Sequence, residues 1–384
     1  MKVPAEFDGI RPYEPEELPE VFERLLDNPQ FRQVLAYAVP GMPFETIREK
    51  MLLCKSNLEF QMKFCYNFVQ SLIDKLTTGC EIDASAIDVS WRYTFVSNHR
   101  DIVLDSGFLD KLLIDAGFET TCEIAIGDNL LSLPWVKDLV RVNKSFIVRR
   151  GLSPRETLQA SKLMSDYMHF VIEEKHDNIW IAQREGRAKD SDDRTQPAIL
   201  KMMAIGGGKG DVVEKLRRLH IVPLAISYEY DPCDFLKAKE FQQKRDDASW
   251  KKSAMDDIVS MQTGITGYKG HVHYKCAPCI DPWLESLGPD IPKSEVFNVI
   301  ARYIDHEIHR NYMLYPVNYI ALDMLNGDSS NAGKYTDGDK SKFMKYLDGQ
   351  LAKIDLPGKD EAFLMERMLT MYANPAINFI NATR

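Results

Sequence analysis

The chain has no run of 18 to 20 consecutive apolar residues, the length that a helix needs to span the core of a bilayer at roughly 1.5 Å per residue. This predicts a protein that does not cross a membrane. A secretory signal is absent too, since the opening MKVPAEFDGIRPYEPEELPE is acidic and proline-rich where a signal is cationic and then apolar. The 7 cysteines, at positions 54, 65, 80, 122, 233, 276 and 279, are odd in number and scattered, which argues against a disulfide framework. Together these absences predict the cytoplasm. Basic residues are not in excess: 48 Lys and Arg against 57 Asp and Glu give a net charge of -9. A general binder of phosphate backbones is therefore excluded, and any anionic ligand has to meet a local basic patch. No internal repeat and no long low-complexity tract is visible, which removes solenoids and propellers.

What is present is ordinary globular composition, 45% hydrophobic and 27% charged over 384 residues. This is more than one hydrophobic core usually supports. We read a helical module over 1–85, a catalytic α/β domain over 86–283 and a helical extension over 284–384. Residues 14–28 and 43–77 have helical periodicity, with Ile47, Met51, Leu58, Met62, Cys65, Phe68 and Leu72 at three- and four-residue intervals. The segment TGCEIDASAID reads as turn and linker. From Trp91 to Pro282, short apolar strands (YTFVS, SFIVR, NIWIAQ, IVPLAISY) alternate with helical stretches. This predicts a mixed, largely parallel sheet flanked by helices, with added N- and C-terminal helical segments and ligands held where loops leave the strands. The helical C-terminal region offers no chemistry of its own.

Four strand ends gather polar residues. The first, Val96-Ser-Asn-His99-Arg-Asp101, is followed by Asp105. A neutral imidazole can take a proton from a hydroxyl while a carboxylate fixes its tautomer; the bland alternative is a turn histidine satisfied by backbone. At the second, Phe146-Ile-Val-Arg149-Arg150-Gly151, paired guanidinium groups suit phosphate, or simply face solvent. The third, Gln183-Arg184-Glu185-Gly186-Arg187-Ala-Lys189, joins a carboxylate, a flexible glycine and several cations, and equally fits a salt-bridged loop. The fourth is the strand Ile221-Val222-Pro223-Leu224 and its continuation, whose proline predicts an edge or first position.

In order and spacing these four pieces resemble the glycerolipid acyltransferase superfamily, the glycerol-3-phosphate and lysophosphatidate acyltransferases, over roughly residues 91–282. The Arg149-Arg150 doublet and Pro197 look closer to the former. The resemblance implies direct acyl transfer from acyl-CoA or an acyl carrier protein to the hydroxyl of glycerol 3-phosphate or a lysophospholipid, with no cofactor and no metal. His99 would be the base and Asp105 its partner. Arg149, Arg150, Arg187 and Lys189 would hold the acceptor phosphate, and Glu185 and Gly186 would shape the loop around it. One departure matters. The family places its aspartate five positions after the histidine, where this chain has Leu104; Asp105 lies six on and Asp101 two on. That spacing also admits a catalytically silent protein that binds lipid or acyl carrier.

Leu130, Leu131, Leu133, Trp135 and Val136, flanked by Lys137 and Arg141, suit shallow insertion at the inner membrane face, or packing against a core. His271, His273, Cys276 and Cys279 offer zinc-ligand types but crowd into nine positions with no second pair, so we expect an ordinary strand. Gly206–Gly210 lacks the ending of a phosphate loop and reads as a flexible loop. His306 and His309 read as part of a solvated helix face.

Overall fold

In the computed structural model, which describes residues 2–288 and 291–384, seven strands form one sheet: β1 (Thr77–Asp83), β2 (Thr94–Ser97), β3 (Cys122–Gly127), β4 (Ser145–Val148), β5 (Asn178–Ala182), β6 (Ile221–Tyr228) and β7 (Gly270–Cys276). Their spatial order is β1-β7-β6-β2-β5-β3-β4. Only the β6–β7 pair is antiparallel, so the sheet is mixed and mostly parallel, an α/β fold. Because β2 to β6 all run the same way, their carboxyl ends share one edge.

Alternation along the central strands builds both faces. Val96, Ile179, Ile181 and Ile221 enter a core with helices Pro154–Phe170, Pro197–Ile205 and Val296–Arg310. Phe95, Trp180, Val222 and Leu224 enter the opposite core, with helices Tyr66–Leu76 and Leu104–Asp115. Both flanking regions thus cover the sheet. The opening residues contribute as well: Val3, Phe7 and Ile10 are buried in the first core, and the Ile147 N–H donates to the Ile10 carbonyl at the β4 edge.

Several local expectations need correction. The first half of TGCEIDASAID is not linker but β1, paired with β7. The helix expected over 43–77 is broken at Leu53–Ser56, where Ser56 caps a new turn by accepting the Glu59 N–H. Pro223 lies third in a strand paired on both sides. Its carbonyl accepts the Ala277 N–H, so its nitrogen faces the same side, where the chain after β7 has left the ladder and no bond is lost. The loop Gly206–Gly210 is packed, with the Gly206 and Gly207 N–H groups donating to Ser165 and Asp166.

Helix Pro134–Val142 turns its apolar side to the N-terminal helices: Trp135 and Leu139 pack against the cluster of Phe22, Phe31, Leu35 and Met51. Trp135 thus takes the protein-core alternative, while Leu133 is left exposed at the helix start. No helix among the described residues is long and apolar enough to cross a membrane.

Candidate active site

His99 lies in the turn that leaves the carboxyl end of β2. Asn98 fixes that turn to β6 by donating to the Ile226 carbonyl and accepting the Ile226 N–H, at 2.9 and 2.8 Å. From the first turn of helix Leu104–Asp115, Asp105 reaches back. Its Oδ2 lies 2.7 Å from His99 Nδ1 and accepts the N–H groups of Arg100 and Asp101 at 2.6 and 3.0 Å. An oxygen already facing two N–H donors acts as acceptor, so Nδ1 carries the imidazole proton and Nε2 keeps its lone pair. Trp180 presents its ring at a steep angle to His99, with centroids 5.5 Å apart.

The geometry explains the six-residue spacing. His99 stands in a turn before the helix, so helical phase does not apply to it. Asp101 acts elsewhere in the turn, where its Oδ1 accepts the N–H groups of Val103 and Leu104 at 2.9 and 2.8 Å and caps the helix start. Burial raises its pKa, as expected for a carboxyl held in a low-dielectric turn.

The other candidate residues reach the same edge but are held differently. Arg150 is ion-paired with Glu185, joining the ends of β4 and β5. Its Nε and Cδ crowd Gly127, where a Cβ would lie 2.7 Å from Nε. Gly186 has a φ of +67°, the left-handed conformation that glycine adopts without strain. Arg187 is buried beside Asp231, Cys233 and Asp101, and its Nη1 has no partner among the described residues. Lys189 is engaged by Glu240 at 2.6 Å. Arg149, exposed at the β4 exit, turns toward Gly9 instead.

Sequence reasoning missed a second tier supplied by the C-terminal helices. Arg100 is buried, pairs with Asp193 at 2.8 Å and lies over the Tyr312 ring. Tyr312 and His309 clasp Asp193, the hydroxyl donating to its carboxylate at 2.6 Å and Nε2 lying 2.8 Å from its carbonyl. Asp305 accepts the Thr195 N–H, and Asn374 and Asn378 hold Asp190 and Asp192. His306 is exposed, but the solvated face read for His309 is corrected: His309 is buried against the loop that follows Arg187. Nothing in local spacing signals a contact across more than a hundred residues; the polar residues on the inner face of an apolar-periodic helix were the available clue.

His271, His273, Cys276 and Cys279 do not gather at one point. β7 runs antiparallel to β6, so His271 lies beside Glu229 past the carboxyl end of β6, Cys276 pairs with Leu224 midway along it, and Cys279 lies toward its start, where the Ile280 N–H donates to the Ile221 carbonyl.

The sequence profile of the family described as Acyltransferase matches residues 85–227. Among solved structures, the 1-acyl-sn-glycerophosphate acyltransferase of Thermotoga maritima is similar, with 12% identity, a TM-score of 0.35, and coverage of 75% of this chain and 93% of that one. No curated protein matches.

Proposed function

We propose that this chain, whose residues 85–227 match the Acyltransferase family, moves a fatty acyl group from a thioester of coenzyme A or an acyl carrier protein to the hydroxyl of glycerol 3-phosphate or a lysophospholipid at a membrane surface. The observation that carries the reading is the His99–Asp105 pair, 2.7 Å apart, at the strand edge where Arg150, Glu185 and Arg187 also converge. His99 Nε2 takes the proton of the acceptor hydroxyl as its oxygen attacks the thioester carbonyl. Asp105 stabilises the imidazolium that forms. Collapse of the tetrahedral intermediate breaks the carbon–sulfur bond, and the departing thiolate recovers the proton from His99, leaving ester and free thiol. Arg150 and Arg187 supply positive charge for the acceptor phosphate, Arg150 by exchanging Glu185 for it.

Purified wild type and His99→Ala are compared with labelled acyl-CoA and acyl carrier protein against glycerol 3-phosphate, lysophosphatidate and a lipid extract. The variant is expected to lose about 10²- to 10⁴-fold in rate. Equal rates remove His99 as the base, and donor binding without product in either protein supports the silent lipid- or carrier-binding alternative.

A further inference from the structure

At the opposite, amino-terminal edge of the sheet, His220 immediately precedes β6, while Cys279 and Asp281 follow β7 at the start of helix Asp281–Glu285. One ligand atom from each of the three lies within 4.8 Å of the others. His220 Nδ1 is 2.6 Å from Asp281 Oδ2, and Asp281 Oδ1 is buried with no partner among the described residues. His220 also has a φ of +46°, a left-handed backbone that a non-glycine residue adopts only under strain. The turn is held there by its N–H to the Arg217 carbonyl and by the Trp91 ring, 5.5 Å from the imidazole. The group borders a cleft of about 480 Å³ that Lys209, Glu214 and Arg218 also line.

We propose that His220, Cys279 and Asp281 bind one zinc ion, with the fourth coordination position open to this cleft. Imidazole nitrogen, thiolate sulfur and carboxylate oxygen together match zinc, whereas magnesium and calcium take oxygen alone. Bonds of about 2.0–2.3 Å in a tetrahedron separate the ligand atoms by about 3.3–3.7 Å. The three groups therefore reach a common centre by small side-chain rotations, with the His220–Asp281 hydrogen bond giving way to two metal bonds. Burial pushes the Cys279 thiol up to about 12, so metal binding releases its proton to solvent. The charges then balance: one thiolate and one carboxylate neutralise the dication. Arg217 and Arg218 do not oppose it, being paired with Glu285 and Glu173.

Sequence order hides this group, because His220 and Asp281 are 61 positions apart. It is also separate from His99. β2 and β6 are in parallel register from Thr94 and Ile221, which leaves His220 at the start of β6 and His99 beyond the end of β2, more than about 13 Å away along the strands at ~3.3 Å per residue.

The test uses the full chain, stripped with a chelator, given one equivalent of zinc or cobalt(II) and dialysed. Wild type and the control Cys80→Ser are expected to retain one metal per chain by elemental analysis, with a thiolate-to-cobalt absorption band and a higher thermal midpoint than the stripped protein. Cys279→Ser and Asp281→Asn are expected to bind at least about tenfold more weakly and to lose the band. Asp281→Asn conserves shape, so a folded variant without metal separates ligand loss from misfolding. Wild type that retains no metal overturns the proposal, as does full retention, with the band, in both variants. None of these readouts depends on acyl transfer.

Discussion

At the scale of single residues, Asp105 sets the protonation pattern of His99. Asp105→Asn preserves volume but replaces an acceptor with a group that can donate, and so favours the tautomer in which Nε2 carries the proton. We expect a fall in kcat on the order of 10⁴-fold, as for a triad whose histidine is held in the wrong tautomer, with circular dichroism unchanged. A second residue acts sterically. A Cβ on Gly264 would lie 2.1 Å from Asp101 Oδ2, and Asp101 is short, buried and already bound to the helix start. Gly264→Ala is expected to destabilise by about 1–3 kcal/mol, read from denaturant unfolding, and to reduce transfer by shifting the turn that carries His99. Gly107→Ala, where nothing lies within 4 Å of the added carbon and alanine is the better helix former, is the matched control.

At the scale of elements, helix Val296–Arg310 and the residues just after it form one wall of the site. Arg100, Asp193 and Tyr312 form a buried unit that ties the His99 turn to the basic loop. Removing one partner leaves buried charge uncompensated, so Asp193→Asn is expected to destabilise by about 3–5 kcal/mol. Tyr312→Phe deletes a single hydrogen bond to a charged group and is expected to cost about 1.5–3 kcal/mol. If the unit also sets the His99 turn, Tyr312→Phe lowers kcat at temperatures where it is fully folded; a change in thermal midpoint alone would confine the unit to a structural role. Helix Pro134–Val142 offers a contrast. Its Trp135 ring lies 6.3 Å from Phe31 and donates to Gln30, so Trp135→Ala is expected to act on stability through the N-terminal helices.

At the scale of the whole molecule, acidic groups buried far apart give stability a common pH dependence. Burial pushes Asp305 up to about 6 and Asp234 up to about 7. A carboxyl whose pKa is higher folded than unfolded binds more protons in the native state between its two values, so its contribution declines as pH rises through that window. The thermal midpoint of wild type minus that of Asp305→Asn is therefore expected to shrink from pH 4 to pH 6 and then level off. A constant difference would show that Asp305 does not titrate there. Ile300, Ile304 and Ile308 belong to the core against the sheet. A chain ended after residue 288 is accordingly expected to lose cooperative unfolding, and not merely activity.

What is local was legible in the sequence. Short apolar strands alternating with helical stretches, which call for a mostly parallel α/β sheet, and the gathering of His99, Arg150, Glu185 and Arg187 at strand ends follow from side-chain spacing and turn chemistry, which act over a few residues; the roles of these residues came from the family resemblance. The sequence could not choose between Asp101 and Asp105, because backbone N–H groups in a folded turn make that choice. Cys80 and Ile82 could not be read as part of a strand before β7 was there to pair with it. The tertiary structure alone engaged Lys189 with Glu240, turned Arg149 away from Arg150, buried His309 against Asp193 and joined His220 to Asp281. These are contacts between distant segments, and their energies arise only when burial removes the water that would otherwise satisfy each group.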